Sequence, residues 1–308
     1  MRSGTTSAFP GDNMYSHAAP AEESDPGQTK RGVVGGTRLF ERFTLQKVLG
    51  RGGMGIVWLA RDDRLERLVA LKLVPDSICF DVSAREDLKR ETRKSLTLTH
   101  PNIVRIFDFI EDEQTAALSM EYVDGPTLST LRVRKPNKIF DVAELAPLVV
   151  SMCDALSYAH ESVQLVHRDL KPSNVMVNSR AELKVTDFGI ACSIRDSMSR
   201  VSVRTSSGTL LYMSPQQMLG ENPAAADDVY ALGALLYEML TGKPPFHSGD
   251  VSAQVREVVP PTIKERRVQL GTQGAAVPRH WEETIAACLA KQAEYRPPGA
   301  AAVARRLQ

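Results

Sequence analysis

The chain has 308 residues, 43% of them hydrophobic, and 38 basic against 37 acidic side chains give it a formal net charge of +1. That length and apolar content allow a sizeable core, while the balanced charge disfavours nucleic acid or an anionic membrane surface as a partner. The four cysteines, Cys79, Cys153, Cys192 and Cys288, form no CxxC pair, a spacing that suits reduced thiols in a cytosol better than a disulfide frame or a zinc site.

Residues 1–42 are rich in Gly, Ser, Thr, Pro and Ala without apolar periodicity, so they are expected to form a disordered tail. They carry no apolar stretch of the signal-peptide kind. From Phe43, the runs FTLQKVLG, GIVWLARD and LVALKLV predict three strands of an antiparallel meander. Ala84–Leu98 reads as a helix stopped by His100-Pro101, and NIVRIFDFI and TAALSMEYV predict two more strands. Beyond Asp124-Gly125 the pattern turns helical: Val142–His160 is a long amphipathic helix, and most of Pro215–Leu307 is helical with proline breaks. The longest apolar stretch, Val229–Leu240, contains Glu238 and is too short to span a bilayer. A small β-rich lobe thus precedes a larger helical one.

Four clusters carry chemistry. In LGRGGMGIV, Gly50, Gly52 and Gly55 are spaced G-x-G-x-x-G, which lets backbone N–H groups approach a phosphate with no Cβ in the way. A dinucleotide-binding loop shares that spacing but needs a helix after the glycines, whereas IVWLA continues as a strand. Lys72 ends the strand run VALK. Alone it reads as a lysine snorkelling at a sheet edge; turned inward it needs an anion, and Glu91 in the next helix is the acid available to pair with it. Glu91 alone reads as a solvated helix residue. The loop HRDLKPSN, residues 167–174, packs His167, Arg168, Asp169, Lys171 and Asn174 between two apolar runs; its bland reading is a solvated hairpin. Asp187-Phe188-Gly189 follows a short strand, and a hairpin between Asn174 and Asp187 can bring two oxygen ligands to one divalent metal.

Taken together, GRGGMGIV, VALK, HRDLKPSN, DFG, SGTLLYMSPQQ, DDVYALG and YRPP resemble the eukaryotic-type protein kinase domain, and most of all the bacterial serine/threonine kinases. The resemblance covers residues 43–308. It implies an α+β bilobal fold, with an N-lobe at 43–123 built of strands and one main helix and a mainly helical C-lobe at 124–308. It also implies transfer of the ATP γ-phosphoryl group to Ser/Thr hydroxyls of protein substrates. By the same resemblance Asp169 orients the acceptor hydroxyl, Lys171 stabilises the transferring phosphoryl, and Asn174 and Asp187 hold Mg²⁺, or Mn²⁺ in its place. Lys72 and Glu91 would form the ion pair that positions ATP. Thr209 would bond toward Asp169 and Lys171 and favour Ser/Thr acceptors. ATP would be lined by Leu49, Gly50, Arg51, Gly52, Gly53, Met54, Gly55, Ile56 and Val57, by Ala70 and by Met120 at the gatekeeper position. Glu121 to Val123 form the hinge, and Asp124 reaches the ribose.

Three departures stand out. Ser214-Pro215-Gln216 replaces the family's Ala-Pro-Glu, leaving an amide opposite Arg296, so Gln216→Glu is expected to restore a charge-assisted pair and stabilise the large lobe. Ser95 replaces an apolar packing residue. The segment 193–207 lacks the usual paired threonines; Ser202 and Thr205 are its expected autophosphorylation sites, reached in trans through a transient homodimer. The resemblance further implies a cytoplasmic domain, which a longer parent protein could anchor to a membrane. The rival readings are a pseudokinase or scaffold, and a nucleotide-binding sensor that binds without transfer.

Overall fold

The protein is described here from a computed structural model covering residues 33–52, 55–188 and 210–308. Order begins before Phe43: β1 (Arg38–Leu39) pairs antiparallel with β2 (Phe43–Gly52). This corrects the tail boundary for residues 33–42, while residues 1–32 lie outside the described residues. The physical reason is Arg42. Its guanidinium donates to both oxygens of the fully buried Asp62 at 2.9 and 2.7 Å, and a carboxylate withdrawn from water requires such a partner.

β3 (Gly55–Asp62), β4 (Arg67–Leu73), β5 (Ile106–Glu111) and β6 (Ala116–Glu121) complete an antiparallel sheet in the order β1-β2-β3-β4-β6-β5. Strand pleating sorts its side chains into two sets. Trp58, Val69, Leu71 and Leu73 pack on one face; Ala70, Leu118 and Met120 pack on the other with Ala84 and Leu88. Those last two belong to α2 (Val82–Ser95), which follows a single turn, α1 (Asp76–Cys79). The helix starts two residues before the expected Ala84 because Asp81 caps it, accepting from the Ala84 N–H at 2.9 Å. It ends at Ser95, three residues short of the expected Leu98.

The large lobe contains α3 (Leu128–Arg134), α4 (Val142–Ser162), the hairpin β7 (Val175–Val177) and β8 (Leu183–Val185), α5 (Pro215–Met218) and α6 (Ala225–Thr241). After these come α7 (Val251–Glu257), α8 (Ile263–Leu270), α9 (Arg279–Cys288) and α10 (Ala300–Leu307). From Asp227 to Thr241 every residue of α6 is buried, the mark of a helix that runs through the core. It stops at Gly242, whose φ of 89° is left-handed. By length and composition α4 could cross a bilayer, yet its Leu145, Val149, Met152 and Leu156 are core residues of this lobe. Burial pushes the thiols of Cys153 and Cys288 up to about 12, which makes both poor nucleophiles.

Two close backbone contacts join the lobes. The Val104 N–H donates to Val185 O and the Val185 N–H to Asn102 O, each at 2.8 Å. At Gly125 a Cβ would lie 1.9 Å from Val177 O, so only glycine lets the connection pass against the β7–β8 hairpin.

Candidate active site

The cleft between the lobes is a cavity of about 210 Å³. It brings together Leu49, Gly50, Val57, Ala70, Met120, Glu121, Val123 and Asp187 from the expected set, with Val104, Tyr122, Thr127, Ser173, Met176 and Thr186 completing its walls. Val104, Thr127, Met176 and Thr186 escape sequence reasoning because they reach the cleft from the inter-lobe connections and the hairpin, where no motif marks them; Ser173 lies within the HRDLKPSN loop but carries no role in that reading. Glu121 turns its carboxylate to Lys184 at 2.6 Å, so what its stretch offers an adenine is backbone.

Several expected residues lie elsewhere. Ile56 packs against the opposite face of the sheet, with Leu71 and Leu73, because alternation along β3 gives the cleft to Val57 and the outer core to Ile56. Arg51 is exposed. Asp124 accepts from the Ser179 hydroxyl at 2.7 Å on the β7–β8 turn, so the carboxylate expected at a ribose is already engaged. Gly55 has φ of 111° and would place a Cβ 2.1 Å from Leu73 O, which fixes glycine at the hairpin's return. Gly53, Met54 and Thr209 lie outside the described residues, as do Gly189 and the whole 193–207 segment.

Lys72, expected at the cleft, is buried and does not line the cavity itself; its ammonium contacts Asp187 Oδ1, a lining residue, at 2.7 Å. The expected pair with Glu91 is not formed: the Glu91 carboxylate lies 3.7 Å from Lys94, and its Oε2 is buried without a hydrogen-bond partner. The reason lies in how α2 is held. Lys89 binds Glu111 at 2.7 Å, and Ser95 Oγ lies 3.0 Å from Phe188 O and 3.2 Å from Glu91 O. The helix is thereby set against β5 and the 187–188 turn, and Lys72 takes the carboxylate within its reach. Burial alone would raise the Asp187 carboxyl; the adjacent Lys72 ammonium outweighs it and holds the group below the ordinary carboxylate range. The serine at position 95 thus exchanges apolar packing for a hydroxyl tie between helix and turn.

The loop at 167–174 is gripped far more densely. Asp169 Oδ2 receives Lys171 Nζ at 2.8 Å and Asn174 Nδ2 at 3.0 Å, and Asn174 Nδ2 also reaches Asp169 O at 2.9 Å. The His167 ring packs against Phe188 in a tilted arrangement, with centroids 4.5 Å apart and planes at 54°. His167 Nε2 donates to Thr186 O at 2.9 Å, so Nδ1 is the acceptor for the Asp169 N–H at 3.2 Å, and the two bonds together assign the tautomer. From the core helix α6, Asp228 accepts the His167 and Arg168 N–H groups at 2.7 and 2.9 Å and His160 Nε2 at 2.7 Å. Burial would raise its carboxyl, but these donors, led by His160, hold it below the usual carboxylate range.

The Asn174 amide spends its N–H on Asp169, which leaves Oδ1 as the oxygen for a cation, and across the hairpin the Thr186 N–H, next to Asp187, donates to Asn174 O at 2.9 Å. No group of three or more His, Cys, Asp or Glu that could hold a metal occurs among the described residues. One carboxylate and one amide oxygen fit a hard divalent ion that takes its remaining ligands from phosphate and water.

The Ala-Pro-Glu replacement is rebuilt around its amide. Gln216 Oε1 accepts from Arg296 Nη2 at 2.6 Å, while Gln216 Nε2 donates to Lys291 O at 3.0 Å. Arg296 spends its remaining donors on the carbonyls of Ala290, Ala226 and Lys291.

A cleft between an antiparallel sheet and a helical lobe, with a hairpin aspartate in its lining, a buried lysine on that aspartate and an aspartate-lysine-asparagine loop leading into the same hairpin, is the architecture of the protein kinase class. The chain belongs to that family: the protein kinase domain model matches residues 43–306. Among curated relatives, the serine/threonine-protein kinase PknB of Mycobacterium leprae is 40% identical over 212 residues, and that of Mycobacterium tuberculosis 38% identical over 243. These alignments cover 68% and 74% of this chain, and the chain spans 34% and 38% of those proteins. Among solved structures, the Mycobacterium tuberculosis PknI kinase domain shares the fold, with a TM-score of 0.70 at 24% identity over 90% of this chain and 98% of that one.

Proposed function

We propose that the chain transfers the γ-phosphoryl group of Mg-ATP to serine and threonine hydroxyls of protein substrates, itself included. The observation that carries this reading is the Asp169 carboxylate held by both Lys171 and Asn174, with Asp187 across the hairpin on Lys72. Asp169 takes the acceptor hydroxyl and orients its oxygen toward the phosphorus; Lys171 offsets negative charge that grows on the transferring group. Lys72 would exchange Asp187 for nucleotide phosphates, and Asn174 and Asp187 are the residues that would hold Mg²⁺, which would neutralise phosphate charge when bound. Lys171 and the Thr209 position support Ser/Thr acceptors. Cytoplasmic placement, trans-autophosphorylation through a transient homodimer and modification at Ser202 and Thr205 belong to the same proposal.

One observation favours a second reading, a nucleotide-binding pseudokinase or scaffold: Glu91 stands away from Lys72. Radiolabelled ATP with a generic Ser/Thr protein acceptor separates the two. The wild type is expected to label the acceptor, and Asp187→Asn to lose about 10²-fold or more in turnover. A wild type that binds Mg-ATP without labelling any acceptor, including itself, establishes the scaffold reading instead.

A further inference from the structure

We propose that Gln217 is a positioning residue for the catalytic loop, locking the peptide that carries Asp169 to the segment that leads into α5; this rests on the reading of Asp169 as the group that takes the acceptor hydroxyl. Gln217 Nε2 donates to Arg168 O at 3.0 Å, and Gln217 Oε1 accepts from the Ser214 N–H at 3.1 Å. The amide orientation is forced, because a carbonyl can only accept and an N–H can only donate. Arg168 O and the Asp169 N–H belong to one peptide unit, so Gln217 on the oxygen and His167 Nδ1 on the nitrogen fix its plane from both sides. Arg168 also sits at φ of 68°, a left-handed conformation a non-glycine residue keeps only when its neighbours impose it. Asp228 holds its N–H and Gln217 its carbonyl.

The contacts close a ring. The Ser214 hydroxyl donates to Asp227 Oδ1 at 2.6 Å and accepts from the Gln217 N–H at 3.1 Å. Asp227 and Asp228 are consecutive on α6, one anchoring the segment at Ser214 and the other the catalytic loop, and Gln217 joins the two loops directly. The simpler role for Gln217 is to complete a capping box with Ser214, a job that uses only its oxygen. Glutamate would do that job as well, and the helix dipole would favour its charge. An amide at this position is required only by the Arg168 carbonyl.

Gln217→Glu separates the two roles, since it keeps the oxygen for Ser214 and replaces the donor by a second oxygen facing Arg168 O. The expected result is a kcat lowered about tenfold or more with the KM for ATP within about twofold, because the acceptor-side geometry shifts while the nucleotide site does not. Amide hydrogen exchange at Arg168 and Asp169 is expected to speed up while 214–218 stays protected, a readout that stands even if the chain transfers no phosphoryl group. Gln217→Met, close in size and unable to cap or donate, is expected to match the loss of kcat and the faster exchange at 168–169, and to lower the Tm as well. Unchanged exchange at Arg168 and Asp169 in either folded variant overturns the proposal, as does a Gln217→Met that loses Tm but keeps its kcat. An inactive wild type overturns the proposed function alone.

Discussion

The two walls of the cleft are held in opposite ways. On the large-lobe side, the backbone of residues 167–169 is pinned at successive peptides by Asp228, His167 and Gln217, and the Asp169 carboxylate is met by two side-chain donors. On the small-lobe side, Lys72 has Asp187 as its ion-pair partner, and the Glu91 Oε2 is buried without a hydrogen bond. The difference follows from what each wall rests on. The catalytic loop is tied to α6, a helix buried on every side, whereas α2 is a surface helix fixed at its edges by Lys89–Glu111 and by Ser95. Phosphoryl transfer depends on placement, and under the proposed function the group that would take the hydroxyl sits on the more densely bonded wall, while the wall that would receive the nucleotide has an ion-pair partner to exchange.

The sharpest way to break this contrast is Asp228→Asn. An amide oxygen cannot serve three donors, and its NH₂ would confront them, so a cost of about 3 kcal/mol in stability is expected, with turnover falling too. Denaturation across pH adds a check on sign. The folded-state carboxyl is held below its unfolded value of about 3.9, so its stabilisation is complete above that value and is lost as pH falls through the folded one. The gap between wild type and Asp228→Asn should therefore narrow on acidification and be widest near neutrality; a gap that widens in acid contradicts the assignment.

A smaller effect sharpens the account of the small lobe, whose back is firmer than its front. Arg42→Met strands the buried Asp62 with two backbone donors and is expected to cost about 2 kcal/mol, measured by urea denaturation. Removing residues 1–32 should leave the Tm unchanged, and removing 1–42 should lower it.

At Gln216 the structure reverses what the motif comparison suggests. A glutamate there would keep Arg296 but set a carboxylate oxygen against Lys291 O, so Gln216→Glu is expected to destabilise by about 1–2 kcal/mol. A raised Tm would show that the arginine outweighs the carbonyl. The smallest loss belongs to the loose wall: Glu91→Gln should cost no stability, since it removes a charge whose Oε2 is buried without a hydrogen-bond partner and whose ion-pair contact is Lys94 at 3.7 Å. A clear loss in a denaturation curve would mean that Glu91 pairs in solution.

Much of this was legible in the chain because kinase chemistry concentrates in short stretches: the loop at 167–174, the hairpin to Asp187, the glycine turn and the hinge each bring their residues together locally. Ile56 was readable and misplaced; the alternation of β3 assigns Val57 to the cleft and its neighbour to the other face. Gln217 carried a visible signal as well, since Ser214-Pro215-Gln216-Gln217 is a capping-box pattern, but its second bond reaches a loop 49 residues away. The same limit hid the Lys291 carbonyl beneath Gln216 and the Phe188 carbonyl beside Ser95. Which carboxylate Lys72 takes depends on the setting of a whole helix, and no local pattern encodes that.

Paired turnover and ATP-binding measurements on Asp169→Asn test the central claim most directly. The amide keeps the size of the side chain and loses the charge that meets Lys171 and, under the proposed function, the acceptor hydroxyl. The account predicts a kcat lowered by about 10²- to 10⁴-fold with the affinity for Mg-ATP within about threefold of wild type. A near-wild-type kcat, or a loss confined to ATP binding, would contradict it.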